Sequence, residues 1–146
     1  MIQKYKELLI KDLCARLDTN LVCSIYRTDD EGVGYRNEVL HGYCKGDIWY
    51  EFYFGEDCSI GIDSVSKIKP YLIPLSSMTE EQKKYITDRW GINDEFDFEI
   101  NPDWGEYFVE LGDIVDFIDW LNKNHFDYRG LITKGLAIDA TGLNIY

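Results

Sequence analysis

Lys67-Ile68-Lys69-Pro70-Tyr71-Leu72-Ile73-Pro74-Leu75-Ser76-Ser77-Met78-Thr79-Glu80-Glu81 divides the chain into two textures, strand-like before it and mainly helical after it. Pro70 and Pro74 each lack an amide donor and push the preceding residue away from helical geometry, so no regular element is expected across them and the chain should turn there. Ser77 stands three residues before Glu80, the spacing of a capping box, which predicts a helix start at that point.

Working back toward the N-terminus, Ile2, Tyr5, Leu9, Leu13 and Leu17 recur at steps of three or four, with Lys4, Lys6, Glu7, Lys11 and Arg16 largely on other faces. That spacing predicts an amphipathic helix over 2–17, ended by Asp18-Thr19-Asn20. Leu21 to Tyr26 is rich in Val, Ile, Cys and Tyr and suits a buried strand, whereas Thr28 to Gly34 supplies acids and glycines for a loop. Glu38–Lys45 and Asp47–Phe54 follow, hinged on Gly46. In the second of these Ile48, Tyr50, Phe52 and Phe54 alternate with Trp49, Glu51 and Tyr53, the period-two pattern of a strand with two distinct faces. Cys58, Ile60 and Ile62 alternate again. Four short strands spaced roughly eight to ten residues apart favour a small antiparallel barrel or meander, with Val65 to Leu72 as the tight turn that closes it.

After the prolines, a short helix from about Thr79 to Arg89 should stop at Gly91, where a left-handed residue is wanted. Phe96, Phe98 and Ile100 alternate with Asp97, Glu99 and Asn101 as an edge strand would, and Tyr107, Val109 and Leu111 suit a partner strand. Ile114, Phe117, Ile118 and Leu121 form the apolar stripe of a helix over 113–124, a further short helix is expected at Tyr128–Lys134, and Ala140–Tyr146 reads as an extended tail. The fold class is therefore α+β in one domain: an N-terminal helix (1–20), an SH3-like antiparallel barrel (21–75) and a helical, acidic remainder (76–146).

Composition limits function. At 146 residues with 45% hydrophobic and 15% aromatic content the chain can bury a core, and its 27 acids against 15 bases give a net charge of −12. Such a charge repels nucleic-acid phosphates and anionic membranes, so a protein partner, basic in character, is expected rather than direct nucleic-acid or membrane binding. No apolar run approaches the roughly 18–20 residues that cross a bilayer and no secretory leader is evident, which places the chain in the cytoplasm.

The charge is concentrated: ten acids and no base lie between Asp94 and Asp119. Asp97, Glu99, Asp103, Asp113, Asp116 and Asp119 are the expected contact surface for a basic partner. Asp97, Glu99, Asn101 and Asp103 also recur like the early ligands of a calcium loop, but Pro102 occupies the position where that loop needs glycine, and alternation in a strand explains the same spacing. No metal or cofactor is expected. Trp49 and Tyr53 form a second candidate contact, because whichever face of their strand is outward carries them; the competing reading has the C-terminal helices cover that face.

His125, Asp127 and Arg129 alternate near the end. They could form an anion site, with His125 as proton donor and Arg129 as a bidentate clamp, or could cap the preceding helix and fasten the terminal segment to the acidic region. No serine or cysteine sits in a nucleophile turn, and the glycines form no phosphate loop. Cys14, Cys23, Cys44 and Cys58 contain no C-x-x-C pair and read as buried thiols, a site of three of them with His41 being the alternative.

Lys69 to Glu81 and Asp119 to Ala137 resemble two blocks, KPYLxPLSSMTEE and DWLxxHHFDYRGLIxKGLA, of a group of proteins from gut Bacteroides genomes and their prophages. The likeness covers about 32 of the 146 residues, and Asn124 stands where the group often has the first of two histidines. The resemblance implies a mobile-element or phage accessory setting and carries no catalytic residue over. The expectation is a non-enzymatic binding or adaptor protein. The alternatives are a small hydrolase or transferase using His125 with carboxylates, and an acidic mimic of nucleic acid that blocks a host DNA-binding protein.

Overall fold

A computed structural model describes residues 1–29, 32–45, 50–54, 58–91 and 111–146. The first apolar stripe forms helix α1 (Gln3–Ala15), which buries Leu9 and Leu13. Its polar side is not uniformly wet, however. Asp12 and Arg16 are both fully buried, whereas Arg16 was expected on a solvent face.

Strands β1 (Val22–Asp29) and β2 (Gly32–Lys45) pair antiparallel over eight positions, from Val22↔Val39 to Asp29↔Gly32. The loop expected over Thr28–Gly34 is thus strand on both sides, and only residues 30 and 31 separate the pair. Polar and glycine residues marked a hairpin end here, not a long loop. Strand β2 pairs onward with β3 (Tyr50–Phe54) through a register shift between Leu40 and Gly42, and β3 pairs with β4 (Cys58–Gly61). The expected alternation puts Phe52, Phe54 and Ile60 in the core.

The proline segment departs from expectation. Ile62–Lys67 is a 3-10 turn, and Ile68–Leu72 is not a tight turn but strand β5, with Ile68, Pro70 and Leu72 pointing inward. Pro70 is tolerated because it takes the last rung of a three-pair antiparallel ladder to β1 (Ile25↔Ile68, Ser24↔Lys69, Cys23↔Pro70), where a missing donor costs least. On its other side β5 pairs in parallel with β6 (Ile138–Asp139), a sixth strand that the sequence reading did not anticipate and that ends just before the tail expected over Ala140–Tyr146. The sheet runs β4-β3-β2-β1-β5-β6 and stays open. A closed SH3-like barrel is not formed: β5 fills the free edge of β1 and then hands the sheet on to β6 instead of returning to β4.

Helix α2 (Glu80–Trp90) begins two residues later than the Ser77 pattern suggested, since the capping box is Thr79 with Gln82. The Thr79 Oγ1 accepts from the Gln82 amide at 3.2 Å and the Gln82 Oε1 accepts from the Thr79 amide at 2.9 Å, while the Ser77 hydroxyl lies 3.2 Å from that of Thr141. Gly91 ends α2 at φ +71° as expected. Helix α3 spans Leu111–Lys123. The short helix expected at Tyr128–Lys134 is instead a run of turns, because the Asp127 carboxylate takes the amides of Leu131 (2.7 Å) and Ile132 (2.8 Å). A side chain that binds nearby amides competes with helix formation.

Two apolar clusters result. One joins Leu9 and Leu13 of α1 to Cys23, Ile25, Leu40, Phe52, Phe54 and Ile68 of the sheet and to Leu131 and Leu136; the other joins Ile86 and Trp90 of α2 to Phe117 and Leu121 of α3, with Met78, Phe126 and Tyr128. No helix among the described residues is long and apolar enough to cross a membrane.

Candidate functional site

The sheet buries one face under α1 and residues 131–137, which leaves the other face as a surface. On it the cross-strand pairs Tyr26↔Tyr35 and Thr28↔Val33 lie side by side. Val33 is 71% exposed and Tyr35 65%, and the Tyr35 ring meets that of Tyr26 edge-on with centroids 5.1 Å apart. Apolar side chains this exposed gain little from folding. Tyr53 is 37% exposed and its hydroxyl donates to Glu51 Oε2 at 3.2 Å, so the C-terminal helices do not cover it. Trp49, expected beside it, lies outside the described residues.

Of the acidic candidates, Asp97, Glu99 and Asp103 lie outside the described residues, as do the strand expected at 96–101 and all of its expected partner but Leu111, which begins α3; Asp113 falls on α3 with its side chain likewise outside. Asp116 and Asp119 are on the exposed side of α3. Asp116 is 3.5 Å from the Arg89 guanidinium, an ion pair that links the two helices and that sequence spacing did not reveal. Both partners are half-exposed, so the pair orients the helices more than it stabilises them.

The terminal trio is resolved into three separate jobs. His125 is the left-handed residue that ends α3, at φ +60°: its amide donates to the Asn122 carbonyl and the Phe126 amide to the Leu121 carbonyl, each at 3.0 Å. This is the Schellman arrangement, in which glycine is usual and histidine is tolerated at some strain. The His125 ring is buried and stacked on Tyr146, centroids 3.7 Å apart at 10°. Burial, reinforced by the positive charge of Arg16, lowers its pKa to about 4, so at neutral pH the ring is uncharged and holds no proton to donate from its cationic form. Among the described residues its Nδ1 has no hydrogen-bond partner. Asp127 binds backbone amides as described above. Arg129 reaches not the acidic region but Asp12, at 3.4 Å, and lies over the Tyr128 ring.

These residues surround a hub that sequence reading missed. Arg16 Nε donates to Asp12 Oδ2 at 2.9 Å and its Nη2 to Asp12 Oδ1 at 3.2 Å; Nη2 also donates to the Phe126 carbonyl at 2.7 Å and Nη1 to the Asn122 carbonyl at 3.4 Å. One guanidinium thus fastens the end of α1 to the end of α3, where the exposed carbonyls favour a cation. The Tyr128 hydroxyl donates to Asn122 Oδ1 at 2.9 Å beside it. Only the i, i+4 spacing of Asp12 and Arg16 signalled a pair, and on an amphipathic helix that spacing normally lies in water.

The thiols stand apart. Cys23 is buried and its pKa is raised by desolvation, Asp12 adding to the shift and Arg16 opposing it; Cys14, Cys44 and Cys58 are partly buried, and all four are free. Among the described residues no three His, Cys, Asp or Glu side chains converge as a metal would need, so the alternative of three thiols with His41 does not assemble. No family model, no curated protein and no solved structure matches the chain.

Proposed function

We propose that this chain is a protein-binding or adaptor module of a phage or other mobile element, acting in the cytoplasm through the uncovered face of its sheet. The observation that carries the reading is the pair Val33 and Tyr35, the two most exposed large apolar side chains on the sheet, braced by Tyr26 from the neighbouring strand. Two side chains on one face of β2, paired there with β1, give a partner an apolar contact, and aromatic residues supply large area at low entropic cost. The net charge of −12 and the acids of 94–119 favour a basic partner and a salt-dependent approach.

The test compares three tagged proteins as baits in a Bacteroides lysate at low and high salt: the native sequence, a Val33→Ser/Tyr35→Ser variant, and an Asp113→Asn/Asp116→Asn/Asp119→Asn variant. The first variant should lose a partner that the native chain retains at high salt, and the second should lose it only at low salt. If all three capture the same proteins under both conditions, neither surface is the contact.

A further inference from the structure

The sheet falls short of a barrel at one place. β1 pairs with β2 along its whole length but with β5 only as far as Ile25↔Ile68, so from Tyr26 onward its second edge has no strand beside it among the described residues. Among the described residues β4 pairs with β3 alone. Both edges border a single cleft of about 350 Å³, walled by residues 26–28 of β1 and 58–61 of β4, with Ser64 and Lys67 of the intervening 3-10 turn completing it. That volume lies near the lower end of the range for ligand sites, about 300–1,000 Å³.

The chemistry of the walls is distinctive for so acidic a chain. Among the described residues the lining includes Arg27, Lys67, Thr28, Ser59 and Ser64 and no carboxylate. Arg27 shares its charge with Glu38 at 3.5 Å, so Lys67, which is exposed, is the principal cation presented to the cleft. Unpaired strand edges are usually blunted by proline, bulges or a covering element. Neither stretch contains proline, and both line the same cleft.

We propose that this cleft receives an extended peptide carrying an acidic side chain, which adds as a strand between β1 and β4 and closes the sheet. An added strand meets main-chain donors and acceptors on both sides, and at about 3.3 Å per residue three of its residues span the edge of β1 from Tyr26 to Thr28. The acidic side chain falls to Lys67 and the hydroxyls. A small anion would use the same cation and hydroxyls but would leave both strand edges unpaired. The cleft adjoins the Val33–Tyr35 surface, because Tyr26, which meets the Tyr35 ring, and Thr28, which pairs with Val33, also line it.

The test uses the full chain, labelled with nitrogen-15, and two capped pentapeptides of β-branched residues, one with glutamate at its centre and one with lysine. The glutamate peptide should shift the amides of 26–28 and 58–61 and slow their hydrogen exchange, the lysine peptide should bind about ten-fold more weakly, and Lys67→Glu should reverse that preference. Far-UV circular dichroism of Lys67→Glu should match that of the native chain. Three results overturn the proposal: no binding at millimolar peptide, equal binding of the two peptides, or the same shifts from inorganic phosphate with no slowing of exchange. The last would make the cleft a simple anion pocket.

Discussion

Replacing Arg16 by Met tests the hub on which the two apolar clusters are joined. The substitution keeps most of the aliphatic stem but leaves the Asp12 carboxylate, fully buried, with Arg129 at 3.4 Å as its remaining cation, and it takes the guanidinium from the Phe126 carbonyl, while the Asn122 carbonyl keeps the His125 amide. Breaking a buried ion pair by removing one partner costs about 3–5 kcal/mol, since a charge stays buried without compensation. A chain of this size is stable by about 5–15 kcal/mol in all, so the loss is about a fifth of the total or more. At about 2–4 °C per kcal/mol the midpoint of thermal unfolding should fall by roughly 6–20 °C. Urea unfolding followed by tryptophan fluorescence gives the free energy directly. Asp12→Ala and the double variant complete a cycle in which the coupling should reach about 1–3 kcal/mol, because the second removal takes away the charge that the first left stranded. If Arg16→Met costs less than about 1 kcal/mol, or if the two substitutions simply add, the guanidinium is an incidental occupant and the clusters are held by apolar contact alone.

Three further outcomes follow from the same geometry. His125 has a folded pKa of about 4 against about 6.5 unfolded, so its contribution is fully present above pH 6.5 and is lost as pH falls toward 4, while the unfolded chain takes up the proton first; the unfolding free energy from urea titrations should drop over that window by an amount of order 1–3 kcal/mol, and His125→Gln should flatten the profile. Thr79→Ala should cost about 1 kcal/mol through loss of the capping box, whereas Ser77→Ala should cost less than half as much, as circular dichroism melts of the two variants will show. Tyr146 accepts from the Val22 amide at 3.3 Å and donates to the Tyr71 carbonyl at 2.7 Å, filling the rung where β1 and β5 part beyond Pro70; Tyr146→Phe should cost about 1–2 kcal/mol and speed hydrogen exchange at Val22.

The local pattern alone determined much of this protein. Leu9 and Leu13, Ile86, and Phe117 and Leu121 recur at helical spacing and each is buried as that spacing requires; Phe52, Phe54 and Ile60 alternate and face the core; Gly91 ends its helix in the left-handed conformation. Each of these depends on neighbours within a few residues, and a period or a single backbone preference is enough to state it. The tertiary structure decided what depends on residues far apart. Pro70 reads as a breaker and sits in a strand, because only the pairing shows that its rung is the last. The strands suggested closure, but whether a sheet closes depends on which edge β5 and β6 take, and β6 comes from 66 residues beyond β5. Arg16 reads as a surface base and becomes the most enclosed cation described, since what it meets are carbonyls more than a hundred residues away. His125 carries the chemistry of a proton donor in any sequence, and here a helix end, a tyrosine ring and a neighbouring guanidinium make it a neutral structural residue. Spacing along a chain reports what one element can do alone; burial, charge state and closure belong to the meeting of elements, where long-range contacts set the solvent and the field around each group.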